Sequence, residues 1–171
     1  MSALIAPKVK AKSGREFSCF PAAILVIIIN SESELLLFSH EADEWTVVAG
    51  AVEPNETIRD AAYRELSEEA GAELSAKAVG VAHAHTFHYD EQVRHMISIY
   101  YVMRYERGEI IPGDDMRGAE YRWWTLQDLK SKPELLAIPK HQVWILERAI
   151  ELAKKYGDED ADLEYFVDGN G

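Results

Sequence analysis

Three glutamates, Glu65, Glu68 and Glu69, are spaced so that they become neighbours if their segment is helical. On a wheel of ~100° per residue, Ile58, Ala62 and Leu66 form an apolar stripe. Glu69 then falls roughly 20° from Ala62 and Glu65 roughly 60° from it, with Glu68 further round the same side. Two carboxylates thus project from the face that should bury itself. Converging carboxylates repel one another, and burial adds to the cost. Hard divalent cations would relieve both penalties. Oxygen donors suit Mg²⁺, Mn²⁺ or Ca²⁺, whereas zinc prefers His and Cys. Arg64 is adjacent and can brace a carboxylate or bind an anion. A solvated face paired with Arg59 or Arg64 is the competing reading of such a charge run.

The elements that must position these acids can be read around them. Asn55 is a good N-cap and Gly71 a good stop, so a helix is expected from about Glu56 to Ala70. Before it, Phe20–Ile29 reads as a buried strand, followed by short strands at Leu35–Phe38 and Trp45–Val48 and a loop at Ala49–Asn55. After it, Ala78–Phe87 alternates, with Val79, Val81, His83, His85 and Phe87 on one face and small residues on the other. Met96–Tyr105 is a further strand, Gly108–Gly118 a loop, and Glu120–Thr125 the last strand. An amphipathic helix runs from Ile138 or Pro139 to Tyr156. Strands on both sides of a helix imply an α/β domain with a mixed sheet. Residues 1–17 read as a basic N-terminal arm, 18–156 as the domain, and 157–171 as an acidic C-terminal tail with six acids and no base.

Composition narrows the function. The chain has 171 residues, 47% hydrophobic and 28% charged, which is enough for one domain with a core. A net charge of -12 argues against reliance on a broad nucleic-acid backbone contact, although a bound cation can reverse the field locally. The single cysteine, Cys19, permits no intrachain disulfide and points to a reducing, cytoplasmic compartment. The apolar run Pro21–Ile29 is too short to cross a membrane. Lys8, Lys10, Lys12 and Arg15 precede it as in a signal peptide, but the run is β-branched and lacks a small-residue cleavage site.

The segment Gly50-Ala-Val-Glu-Pro-Asn-Glu56, continued by Arg64-Glu65-Leu66-Ser-Glu68-Glu69-Ala-Gly71, resembles the Nudix box. Gly50, Glu56, Arg64, Glu65, Leu66, Glu68, Glu69 and Gly71 are all in register with it. Three positions depart mildly: Ala72 at the final aliphatic site, Val48-Ala49 where many members carry Pro-Gly, and Asn55 where many carry Gly. Asn tolerates left-handed backbone angles better than most residues. The resemblance implies a Nudix-type α/β/α sandwich over roughly residues 18–156 that hydrolyses a diphosphate bond with Mg²⁺ (or Mn²⁺). It implies Glu65, Glu68 and Glu69 as ligands, Gly50 as a carbonyl donor, and Glu56 and Arg64 as supports, with Arg64 orienting a glutamate. Water would attack phosphorus, with Glu65 the first choice as base. Asp114, Asp115 and Glu120 are further candidates for a ligand or base, and Glu120 is favoured.

Implied substrates are small nucleotides: a nucleoside triphosphate, a nucleotide sugar or ADP-ribose, or a dinucleoside polyphosphate. Acidic composition weighs against capped RNA. A non-catalytic nucleotide-sensing module and a metal-stabilised structural domain are the rival classes. The basic arm and the aromatic strand offer a homodimer surface that no sequence rule requires. His83 and His85 could hold zinc, but strand-face histidines are the better reading without a nearby cysteine. Of Trp123 and Trp124, consecutive in a strand, at most one can meet a base.

Overall fold

Eight residues of β-branched and aliphatic character, Ala22–Ile29 (β3), form the middle of the sheet, and most of them are fully buried. Such a strand must be covered on both faces. The computed structural model describes residues 6–40, 44–137 and 142–157. In chain order the strands are β1 (Lys8–Lys10), β2 (Glu16–Ser18), β3, β4 (Leu35–Ser39), β5 (Val48–Ala51), β6 (Ser75–Phe87), β7 (Met96–Arg107) and β8 (Glu120–Trp124). The α-helices are α1 (Ile58–Glu65), α2 (Leu126–Ser131) and α3 (Val143–Tyr156).

The main sheet runs β6-β7-β3-β4-β8, with β5 also pairing β3. Among the described strands β3 and β7 pair in parallel, whereas the β3–β4, β3–β5, β4–β8 and β6–β7 pairings are antiparallel, so the sheet is mixed. Alternate residues of β3 point to opposite layers. Ile27 and Ile29 pack with Leu146, Ala149 and Ile150 of α3, and Ile24, Val26 and Ile28 pack with Ala61 and Ala62 of α1. This is the expected α/β/α sandwich.

Several boundaries differ from expectation. The described part of the N-terminal arm is a hairpin, β1 against β2, turned through Gly14 at φ 86. Trp45 and Thr46 make only isolated bridges, and the strand lies later, at Val48–Ala51, where pairing to β3 overrides the weak strand propensity of Ala-Gly-Ala. Register shifts against β7 between Ala78 and Gly80 and between Val81 and His83 break the expected alternation, leaving Val79 and Ala82 buried and Val81 exposed. Thr125 is not the end of β8 but the N-cap of α2, accepting from Asp128 N. The Gly108–Gly118 loop contains a 3₁₀ turn at Asp114–Met116. The expected start of the last helix, Ile138 or Pro139, and the tail from residue 158 lie outside the described residues. Among the described residues, no helix is long and apolar enough to cross a membrane.

Candidate active site

The helix begins later than expected. Thr57, not Asn55, is the N-cap: its hydroxyl takes Asp60 N at 3.1 Å while Asp60 Oδ2 takes Thr57 N at 3.1 Å. Asn55 instead adopts φ 70, a left-handed turn that leads the chain from β5 into the helix. Glu56 therefore sits before the helix, where its carboxylate takes Glu53 N at 2.6 Å. Ile58 is 39% exposed, and the buried stripe is Ala61, Ala62, Leu66 and Ala70.

After Glu65 the helix widens into a π turn, Leu66–Ala70, and stops at Gly71 with φ 119. Such turns free carbonyls that need other donors. Ile111 N donates to Ala70 O at 2.9 Å and Gly113 N to Glu69 O at 3.0 Å. A Cβ on Gly113 would collide with the Glu68 carbonyl, so glycine permits this approach. The 111–113 clamp was not legible as such. Pro112-Gly113 signalled only a loop.

Three consecutive residues of β5 meet three helical side chains. Ala49 N donates to Glu69 Oε2 at 2.9 Å. Gly50 lies so close to Glu65 that a Cβ there would fall on its carboxylate. Ala51 O accepts from Arg64 Nη2 at 2.8 Å. Arg64 also donates from Nε and Nη2 to Glu56 at 3.1 and 2.9 Å, and from Nη1 to Glu65 at 2.7 Å and Glu68 at 3.0 Å. These bonds match the five N–H groups of a guanidinium in number. Arg64 thus joins three carboxylates to the β5 backbone.

The three acids differ in environment. Glu65 is 6% exposed and Glu69 3%, whereas the Glu68 side chain is 43% exposed. Burial is the main cause that pushes both inner carboxyls up. Arg64 partly opposes this at Glu65. At Glu69 the Ala49 N–H opposes it, but Glu65, Asp115 and Asp114 add negative field, and the group reaches about 7. Glu56, bonded to Arg64, is held low. The two inward acids are those the helical wheel placed there. The three do not converge on one point, however. Arg64 gathers Glu65 and Glu68, while Glu69 turns to Ala49, because each carboxylate takes the nearest N–H donor. Among the described residues, no three acid, His or Cys side chains are grouped to hold an ion as they stand.

Of the downstream acids, Asp114 and Asp115 bear on Glu69. Their turn is tied to the end of β4 by a 2.7 Å bond between His40 Nε2 and Asp115 O. Glu120 is exposed on edge strand β8, opposite Ser39. His83 and His85 stack at 5.4 Å and lie in an aromatic row with Tyr100, and His83 also meets Trp144 of α3. Trp124 is buried against Trp45, and Trp123 packs on Tyr105.

The NUDIX domain family model matches residues 20–145. The chain belongs to the Nudix family. An NAD-capped RNA hydrolase, NudC of Deinococcus radiodurans, is 27% identical over 142 residues, covering 80% of this chain and 47% of that protein. An ADP-ribose pyrophosphatase of Methanocaldococcus jannaschii is 29% identical over 119 residues, covering 67% of this chain and 66% of that protein. The matched region thus spans less than two thirds of either relative. A Nudix-family hydrolase structure from Clostridium perfringens superposes with a TM-score of 0.61 at 19% identity, over 77% of this chain and 96% of the other. An ADP compounds hydrolase gives 0.60 at 20% identity, over 88% and 85%. At those identities the structures establish a shared Nudix fold.

The donor set fits a hard divalent cation. Buried carboxyls at Glu65, paired with Arg64, and at Glu69, held by a backbone N–H, an accessible carboxylate at Glu68 and a side-chain-free backbone at Gly50 are all oxygen donors or make room for them. No soft ligand is among them.

Proposed function

We propose that this Nudix domain hydrolyses a diphosphate bond in a nucleoside diphosphate derivative, using Mg²⁺ or Mn²⁺ held by Glu65, Glu68, Glu69 and the Gly50 carbonyl. The observation that carries this reading is the pair of buried carboxyls, Glu65 and Glu69, pressed against a glycine-bearing strand, with no lysine or arginine among the described residues bonded to Glu69. Two buried acids destabilise the bare fold, and a structural role gives no reason to keep them. When bound, the metal supplies phosphate charge neutralisation and a lowered water pKa.

The chain's own residues do the rest. Arg64 holds Glu65 and Glu68 at fixed positions through Nη1, and is itself anchored by Glu56 and the Ala51 carbonyl. The Ala49 N–H fixes one Glu69 oxygen and leaves the other available. Glu65, buried and pushed up, is our choice to accept the water proton. Asp114 and Asp115 are better placed than Glu120 to support Glu69, since their field reaches it.

NAD and ADP-ribose share an adenosine diphosphate joined to ribose, so compounds of that type head the substrate screen, supported by the names of the two relatives. One relative is named for capped RNA, so that class stays in the screen despite the acidic composition. The test is release of nucleotide or phosphate from a panel of nucleoside diphosphate derivatives with Mg²⁺, Mn²⁺ or excess chelator. Turnover should require metal and fall at least ~100-fold in Glu65→Gln and Glu69→Gln. No turnover on any substrate, or full activity in both variants, refutes the proposal.

A further inference from the structure

A cavity of about 620 Å³ lies between the root of the β1–β2 hairpin and the β6–β7 loop, walled by Pro7, Phe20, Pro21, Val93, Arg94 and His95. That is the size range of a small-ligand pocket. Most of its walls are apolar, and Phe20 and His95 stack at 4.3 Å with 29° between their planes. Phe20 remains 38% exposed, so ring surface is left for another aromatic. Among the described residues no acidic side chain lines the cavity, in a chain with 30 acids against 18 lysines and arginines. The β6–β7 loop is shaped in advance, with Asp90 Oδ1 accepting from Gln92 N at 2.7 Å and Val93 N at 2.6 Å.

One short stretch of β3 leads from the wall of the cavity toward the acidic site. Pro21, in its wall, is followed by Ala22, whose carbonyl takes Val52 N at 2.9 Å. Ala23 comes next and lies opposite Ala51, the residue whose carbonyl Arg64 holds. Three extended residues span about 10 Å. Trp123, the other aromatic side chain that could meet a base, packs on Tyr105 beside Arg104, which is opposite Ile29 at the far end of β3.

We infer that this cavity seats the nucleobase of the substrate by stacking on the Phe20–His95 pair, with purines preferred for their larger ring area. The inference rests on the hydrolase reading for its kinetic consequences, but binding tests it separately. Arg94 at the rim favours the anionic side of the same ligand.

Two measurements decide it. Phe20→Ala and His95→Ala should each raise KM for a purine nucleoside diphosphate derivative at least ~10-fold, with kcat within ~2-fold. His95→Trp, which enlarges the stack, should lower KM, and Trp123→Ala should leave KM unchanged. Separately, titration with AMP in chelator should shift the His95 ring resonances saturably, and Phe20→Ala should abolish the shift. Unchanged KM in Phe20→Ala and His95→Ala, or AMP shifts confined to the Trp123 indole, overturns the assignment. If no substrate is hydrolysed, the hydrolase reading fails, and the AMP titration still supports or overturns the pocket.

Discussion

Replacing Glu69 by glutamine removes a buried charge while keeping an oxygen for the Ala49 N–H at 2.9 Å. In the folded metal-free protein the Glu69 carboxyl is pushed from its ordinary 4.5 to about 7, chiefly by burial. The folded state therefore binds more protons than the unfolded chain between those values. Stability must fall as pH rises through that window and level off above it. The shift corresponds to at most about 3 kcal/mol, which water at the site edge reduces to about 1–2 kcal/mol. In a domain of this size that is about 3–6 °C in Tm. In chelator at pH 8, Glu69→Gln should melt about 3–6 °C above the unsubstituted protein, and at pH 4 the two should coincide. Excess Mg²⁺ or Mn²⁺ at pH 8 should raise the Tm of the unsubstituted protein and leave Glu69→Gln unmoved. Thermal melts at both pH values, with and without metal, make the check. If the two proteins melt together in chelator at pH 8, the claim that burial makes the Glu69 charge costly is wrong.

Other perturbations follow from the same contacts. Gly50→Ala forces a methyl onto the Glu65 carboxylate, so it should cost about 1–3 kcal/mol in a denaturant titration and lose metal-dependent turnover. Arg64→Lys keeps the charge but not the fork joining Glu56, Glu65 and Glu68. Metal affinity or kcat should drop about 10–100-fold, read by metal titration of turnover. Thr57→Ala breaks the capping box at the exposed start of α1. It should cost about 1 kcal/mol in the same denaturation assay while kcat at saturating metal holds. Gly113→Ala drives a Cβ into the Glu68 carbonyl and should weaken metal binding, seen as a higher metal concentration for half-maximal rate.

The acid positions were legible because helical spacing is local. Glu65 and Glu69 fall on the burying face by residue count, and burial in the fold agrees. The central strand was equally legible in the unbroken run Ala22–Ile29, since a strand covered on both faces must be apolar throughout. The order of strands around α1, and hence the fold class, could be read the same way. What lay beyond local pattern depended on contacts between distant segments. The π turn at Leu66–Ala70 is completed by N–H donors from residues 111 and 113, and no spacing within the helix foretells them. The displacement of β5 to Val48–Ala51 arises from pairing with β3, which overrides weak propensity. That displacement is what sets the Ala49 N–H on Glu69, Gly50 against Glu65 and the Ala51 carbonyl on Arg64. The sequence by itself determined which residues bear the charge and which face they occupy. The tertiary structure alone decided which backbone groups meet them, because a backbone N–H or carbonyl carries no residue identity to read.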